Sequence, residues 1–238
     1  MDINKDIFNR TTALFGEQAM EFLYGSRVAV FGVGGVGGYA TEVLARSGIG
    51  QIDIFDSDKV SVTNINRQLY ALTSTVGRYK VDVAKERILD INPRCIVHEH
   101  KIFYLPENAD SIPLEGYDYV VDCIDTVVAK VELISRCHRM GIPIISSMGA
   151  ANKLDSTAFK VADISETKMD PLAKVIRKRL RKLNIDHLKV VYSEEAPLKP
   201  IEDILTERIP ASNAFVPAAA GLIIGGEVVK DIIKKGNG

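Results

Sequence analysis

Short apolar runs alternate with longer amphipathic segments along the first 150 residues. The apolar runs predict buried β-strands over Arg27–Phe31, Gln51–Phe55, Ile96–His100, Tyr117–Val121 and Ile142–Ser146. Apolar residues at helical spacing predict helices over Val36–Arg46, Lys80–Ile91 and Val127–Met140. Because strands that alternate with helices are typical of α/β proteins, we expect a Rossmann-like, doubly wound and mostly parallel sheet.

The pattern differs at the two ends of the chain and divides a single predicted domain into three parts. Residues 1–24 predict a helical arm, residues 25–150 the core, and residues 151–238 an α+β extension on the substrate side. In the extension we expect an edge strand over Phe159–Asp163, a helix over Pro171–Leu183 with Asp170 as its N-cap, a strand over Val190–Tyr192 and a final helix over Pro217–Lys235. The proline-containing segment 193–212 predicts a long surface loop.

The composition is that of an ordinary folded protein. Of 238 residues, 46% are hydrophobic and 26% are charged, and the net charge is -1. These values exclude a disordered chain and a protein that coats nucleic acid uniformly. Three widely spaced cysteines form neither a disulfide framework nor a paired zinc motif, so we expect a cytoplasmic protein without zinc.

The longest nearly apolar stretch runs from Ala214 to Gly226. It is shorter than the roughly 20 residues that a membrane-spanning helix needs. Its glycines, Gly221, Gly225 and Gly226, instead predict a core helix that packs closely on its neighbours. We therefore expect no membrane span.

A glycine-rich turn follows the first predicted strand. Gly32-Val33-Gly34-Gly35-Val36-Gly37 has the spacing G-x-G-x-x-G between a strand and a helix, where backbone amides and the helix N-terminus bind phosphate. Asp56 ends the next strand, at a distance suited to a ribose hydroxyl. These features predict a nucleotide-binding site, but they do not distinguish a site for a dinucleotide from a site for ATP.

The polar segment Asp56–Gln68 favours ATP, because a dinucleotide dehydrogenase has no need of fixed phosphate-binding side chains there. Arg67 offers a fork of donors to phosphate oxygens, and Asn64 can hydrogen-bond phosphate or ribose. Lys80 opens the following helix and is expected to reach the same phosphates.

Carboxylates near the same turn predict a magnesium site, since Mg²⁺ prefers oxygen ligands. Asp58 lies in the polar segment. Asp122 and Asp125 come just after a predicted strand, at the carboxyl end where ligands bind in open α/β sheets. The spacing leaves open which of these two is the second ligand.

Taken together, these motifs resemble the ThiF/MoeB/HesA group, the adenylating fold of ubiquitin-activating enzymes. The resemblance covers about residues 9–150 and rests on Gly32–Gly37, Asp56-x-Asp58, Val60-x-x-Thr63-Asn64-x-x-Arg67-Gln68, Gly77-x-x-Lys80 and Asp122-x-x-Asp125. It implies binding of Mg-ATP, formation of an acyl-adenylate and release of pyrophosphate.

The same resemblance implies a role for each matching residue. Asp56 would hold the ribose and Asp125 the magnesium, while the triphosphate would be held by Asn64, Arg67, Gln68 and Lys80. The arm resembles the segment that supplies an arginine across a homodimer, and Arg10 is the candidate. The expected catalytic set is therefore Arg67, Lys80, Asp125 and Arg10.

The chain departs from members of the group that activate ubiquitin-like proteins. It has no paired C-x-x-C motifs, no cysteine between residues 164 and 213, and Thr126 where those relatives usually have Asn. Its C-terminal motifs, which include Met148–Asp155 and Asn213–Ala218, resemble the TcdA (CsdL/YgdL) branch instead. That resemblance implies cyclisation of threonylcarbamoyladenosine in tRNA, in which an intramolecular nucleophile replaces an enzyme cysteine.

The helix predicted over Pro171–Leu183 is strongly basic. Its cations are Lys174, Arg177, Lys178, Arg179, Arg181 and Lys182. In a nearly neutral protein they predict a local positive field suited to RNA phosphates, and the alternative is a solvated helix face.

Other functions also remain open. One is activation of a ubiquitin-like or sulfur-carrier protein. The other is an NAD-dependent oxidoreductase or a non-catalytic nucleotide-binding module. For the tRNA-modifying function, a sulfur-relay protein is a further candidate partner.

Overall fold

The computed structural model describes residues 7–199, 201 and 210–236. Its helices are α1 (Asn9–Phe15), α2 (Glu17–Gly25), α3 (Gly37–Arg46), α4 (Lys80–Ile91), α5 (Val127–Met140), α6 (Pro171–Arg181) and α7 (Val216–Gly236). Its strands are β1 (Arg27–Phe31), β2 (Gln51–Phe55), β3 (Ile96–His100), β4 (Tyr119–Asp122), β5 (Ile144–Ser147), β6 (Phe159–Asp163) and β7 (Lys189–Ser193).

Seven strands of the described residues form one sheet in the order β3-β2-β1-β4-β5-β7-β6. Every neighbouring pair is parallel except β6 and β7, which pair antiparallel at the edge. The expected α/β, doubly wound architecture is therefore confirmed. The strand order reverses between β1 and β4, and a crevice at such a reversal is where open α/β sheets bind ligands.

Both faces of the sheet are covered, because successive side chains of a strand point to opposite faces. Val28 and Val30 pack into the core that α3 and α7 complete. Ala29 and Phe31 pack into a second core with Leu133 of α5. The nearly continuous apolar run of β1 thus reflects burial on both sides.

Strands β4 and β5 begin two residues later than predicted and end one residue later. Gly141 adopts the left-handed conformation that ends α5, and the Ile142 amide donates to the Cys137 carbonyl at 2.9 Å. Pro143 has no N–H to give the sheet. The Ile142 amide is therefore used to close the helix, Pro143 contributes only its carbonyl to the Val120 amide of β4, and strand β5 starts at Ile144.

Helix α3 begins one residue later than predicted, and the other differences lie in the arm and the extension. The arm is helical, but Gly16, with φ 87° and ψ 158°, divides it into α1 and α2. Helix α6 ends at Arg181, two residues before the predicted end. The middle of the predicted surface loop, residues 200 and 202–209, lies outside the described residues.

Helix α7 packs closely on α3 through two of the three predicted glycines. A Cβ on Gly221 would lie 2.2 Å from the Val36 carbonyl oxygen, and one on Gly225 would lie 2.5 Å from the Val43 Cβ. The prediction is wrong for Gly226, where a Cβ would meet open space. Among the described residues, no helix combines the length and apolarity that crossing a membrane requires.

Candidate active site

A cleft of about 710 Å³ opens at the carboxyl ends of β1 and β4, at the reversal of strand order. It brings together most of the predicted site residues: Gly32, Gly34, Gly35, Asp56, Asp58, Asn64, Arg67, Gln68, Lys80 and Asp125. Among the residues predicted to bind the nucleotide or to act in catalysis, two do not line it. They are Gly37, which is buried at the start of α3, and Arg10, which is exposed on α1.

The glycine turn is shaped by close contacts inside the protein. Gly32 has φ 85°, and a Cβ there would lie 2.8 Å from the Cys123 carbonyl oxygen. A Cβ on Gly37 would lie 1.8 Å from the Gly32 carbonyl oxygen, so this glycine serves packing. Gly34 and Gly35 line the cleft, and because they have no side chain a ligand can approach their backbone closely.

Asp56 is held in place by the backbone on both sides. Its Oδ2 accepts from the Val33 amide at 3.0 Å, and its Oδ1 accepts from the Asp58 amide at 2.8 Å. Burial raises the pKa of this carboxyl above its usual value, against the opposing effects of Lys80 and the two amides. Each oxygen keeps further acceptor capacity, so the group can receive ribose hydroxyls in the cleft.

The segment Ser61–Gln68, here called the phosphate segment, begins with a short 3₁₀ turn over Val62–Asn64 and is stabilised by its own side chains. Asn64 Oδ1 accepts from the Ser61 amide at 3.0 Å. Arg67 Nη1 donates to the Thr63 carbonyl at 2.9 Å and to Asn66 Oδ1 at 2.8 Å. These bonds hold the guanidinium at the cleft while its Nε and Nη2 donors take no part in them.

Lys80 and Asp58 form an ion pair in the lining of the cleft. Lys80 Nζ lies 2.7 Å from Asp58 Oδ2, and the lysine side chain is buried whereas the carboxylate is exposed. Lys80 is the first residue of α4, and its own amide donates to the Asp58 carbonyl at 2.9 Å. A phosphate that reaches the cleft therefore meets a buried cation at a helix N-terminus.

The structure separates the two candidate magnesium ligands that follow β4. Asp125 is exposed and lines the cleft. Asp122 is fully buried, where it accepts from Lys130 Nζ at 2.8 Å and from the Ser146 hydroxyl at 2.6 Å. Asp122 does not line the cleft, so of these two carboxylates only Asp125 can meet a metal ion bound in it.

The cysteines are not poised as nucleophiles. Cys95 and Cys137 are buried, and Cys123 is half-buried beside the glycine turn. Burial raises the pKa of each thiol to about 12, so all three stay protonated near neutral pH.

The side of the cleft opposite the phosphate segment consists mainly of small and apolar residues. We call it the distal wall, and it comprises residues 147–153, which follow β5, and 170–172, which begin α6. Within it, Lys153 Nζ lies 3.2 Å from Asp170 Oδ2, and both side chains are almost completely buried. The sequence marks Asp170 only as a helix N-cap and does not mark Lys153 as a site residue.

Asn152 ties both ends of the long loop to the distal wall. Its amide donates to the Ala211 carbonyl at 2.8 Å, and its Oδ1 accepts from the Ala211 amide at 2.8 Å. Its carbonyl accepts from the Leu198 amide at 2.7 Å. Asn152 has φ 59°, a left-handed conformation that asparagine tolerates better than most residues. No local sequence signal identifies this role.

Helix α6 starts at the cleft, because Pro171 and Leu172 line it. Five of its six predicted cations are exposed: Lys174, Lys178, Arg179, Arg181 and Lys182. Arg177 is different, because its Nη1 donates to the Thr167 carbonyl at 2.9 Å and to the Ile164 carbonyl at 3.2 Å. Its guanidinium is therefore bonded to main-chain carbonyls of the protein itself.

Comparison with known proteins accords with this geometry. Residues 8–236 match the ThiF family. The tRNA threonylcarbamoyladenosine dehydratase of Bacillus subtilis (strain 168) is 49% identical over 240 residues, which cover 95% of this chain and 94% of that relative.

Two crystal structures of the E. coli tRNA N6-threonylcarbamoyladenosine dehydratase, TcdA, are similar over the whole chain. The complex with AMP has a TM-score of 0.92 and the complex with ATP one of 0.91. Both are 36% identical to this chain and cover 100% of it and 98% of the E. coli chain. With its sequence, fold and glycine turn in agreement, this chain belongs to the ThiF family.

Proposed function

We propose that this protein is an ATP-dependent tRNA-modifying enzyme that cyclises threonylcarbamoyladenosine through an acyl-adenylate. The observation that carries the proposal is the cleft itself. It joins a glycine turn and a phosphate segment to a distal wall from which a basic helix emerges. The chain is similar over nearly its full length to proteins named tRNA threonylcarbamoyladenosine dehydratase, and this similarity supports threonylcarbamoyladenosine as the substrate.

The chemistry takes two steps. A carboxylate oxygen of the threonylcarbamoyl side chain attacks the α-phosphorus of ATP, and the bond to pyrophosphate breaks. A nucleophile of the same side chain then attacks the activated acyl carbon, loses its proton and expels AMP with the former carboxylate oxygen. Since the second attack is intramolecular, it needs no enzyme thiol, in keeping with three protonated cysteines.

The charged residues of the cleft fit the first step. Negative charge grows on the departing pyrophosphate, and Arg67 and Lys80 place cationic donors where the phosphates are expected. Both are already held by the protein, Arg67 by its own segment and Lys80 by Asp58, so little reorganisation is needed.

The residues also fit a magnesium ion. Asp125 presents an exposed carboxylate to the cleft. The described residues contain no cluster of three or more metal-ligating side chains. One or two carboxylates together with substrate phosphates and waters are nevertheless the usual environment of Mg²⁺, and the ion supplies charge neutralisation there.

We further propose a homodimer in the cytoplasm, with Arg10 acting across the interface. The arm presents exposed apolar side chains, among them Leu14, which is 77% exposed, and Phe15. Closed dimers are the commonest symmetric assembly, and such side chains are expected to be covered in one. A sulfur-relay protein remains a candidate partner of the same complex.

Mass spectrometry of tRNA nucleosides tests the function. The protein is incubated with ATP, Mg²⁺ and tRNA that carries threonylcarbamoyladenosine. We expect that nucleoside to lose one water while AMP and pyrophosphate appear in equal amounts. Unchanged nucleosides together with adenylation of a small carrier protein would instead support the protein-activator alternative.

A further inference from the structure

Two oppositely charged side chains are buried in the distal wall. Lys153 and Asp170 are 1% and 0% exposed, and their charged atoms are 3.2 Å apart. Both belong to the cleft lining. They lie beyond β5, whereas Arg67 and Lys80 follow β2, so the strand order places the two sets on either side of the crevice between β1 and β4.

Asp170 connects the wall to the basic helix. Its Oδ2 accepts from Lys153 and from the Gly149 amide at 3.1 Å, while its Oδ1 accepts from the Ala173 amide at 2.9 Å and so caps α6. Lys153 Nζ in turn donates to the Ser193 carbonyl at the end of β7, at 3.3 Å. The pair therefore joins the loop after β5, the end of β7 and the start of α6.

Stability alone is a weak reason for this arrangement. The desolvation of two buried charges offsets much of their attraction, and well-packed apolar residues of similar volume are often as stable. What the pair does provide is geometry. Gly149 has no side chain with which to anchor itself, and its amide donates to Asp170, so the backbone at this point of the wall depends on that carboxylate.

We propose that Lys153 and Asp170 are positioning residues that hold the distal wall as the acyl subsite. This subsite takes the carboxylate-bearing side chain of a modified adenosine and aligns it with the α-phosphate of ATP. The inference rests on the proposed function and adds to it the place of the acyl group. The basic helix is thereby kept in register with the distal wall, since the Asp170 carboxylate accepts both from the first turn of α6 and from Gly149 and Lys153 of the wall.

The test is a double variant, Lys153→Met/Asp170→Asn. It removes both charges together, so no unpaired charge is left buried, and the asparagine oxygen retains a cap for α6. Single-turnover formation of AMP is measured at saturating ATP and tRNA, beside the dissociation constants of both substrates and the melting temperature. The matched control is Arg27→Met/Asp53→Asn, an ion pair of 3.0 Å whose residues do not line the cleft.

We expect both dissociation constants of the double variant to stay within about twofold, while single-turnover AMP formation falls about 10- to 100-fold, as for small misplacements of reacting groups. The control should change the melting temperature without this loss of rate. A folded double variant with the wild-type rate would overturn the proposal, as would a parallel loss of ATP binding. Wild-type protein that leaves threonylcarbamoyladenosine unchanged would overturn the proposed function as well.

Discussion

The basic face of α6 offers a quantitative test of RNA binding. Lys174, Lys178 and Arg181 lie within an arc of about 60° on the helix, since each residue turns it by about 100°. All three are exposed, whereas Arg177 is bound to backbone carbonyls and is expected to contribute no phosphate contact. We therefore choose Lys174→Gln/Lys178→Gln/Arg181→Gln, which removes charge without adding repulsion.

The size of the effect follows from counterion release. Each phosphate contact contributes about 0.7 to 0.9 to the slope of log affinity against log salt, so three lost contacts reduce it by about 2 to 3. Over a fourfold rise in salt, wild-type binding should then weaken by about 16- to 64-fold more than binding by the triple variant. ATP binding should stay unchanged, because none of the three residues lines the cleft.

The assay is a salt titration of tRNA binding by fluorescence anisotropy. A matched control is Lys230→Gln/Lys234→Gln/Lys235→Gln, which removes three exposed cations from the far end of α7. At 1.5 Å per residue, that end is about 25 Å from the cleft-lining start of the helix. Equal slopes for the wild type and the α6 variant would refute the reasoning and leave this face merely solvated. An equal loss in the control would point to non-specific charge.

Three further predictions concern the phosphates, the dimer and the packing of α7. Arg67→Ala should lower the rate of adenylation by about two to three orders of magnitude, as expected for a preorganised charge donor, and near-normal pyrophosphate release would contradict its role. Arg10→Ala should lower turnover without monomerising the protein, and sedimentation that shows a fully active wild-type monomer would exclude the cross-dimer role. Gly225→Val should lower the free energy of unfolding by about 1–3 kcal/mol through overpacking against Val43, which chemical denaturation measures.

The sequence by itself determined the order of strands and helices and the place of the glycine turn that lines the cleft. The bounds of β1, β2, β3 and β6 agree with the prediction, because runs of apolar and β-branched residues bounded by Gly, Pro and Asp encode strands locally. The glycine turn was predictable for the same reason, since its steric requirement at Gly32 arises within a strand–turn–helix unit.

Only the tertiary structure decided which polar groups reach the cleft. Asp122 and Asp125 are three residues apart, yet one is buried against Lys130 and the other is exposed in the cleft. Arg177 lies among exposed cations but is bonded to Ile164 and Thr167. The partner of a charged side chain comes from a segment that the fold brings next to it. The spacing of residues along the chain does not show which segments will meet.

The distal wall shows the same limit most clearly. Lys153 and Asp170 meet across 17 positions of sequence, and Lys153 also reaches Ser193. Local propensity identified Asp170 as a helix cap because that bond lies within one turn, between Asp170 and Ala173. The bonds from Asp170 to Gly149 and Lys153 exist only once β5, β7 and α6 are assembled, which is why the distal wall is a property of the fold.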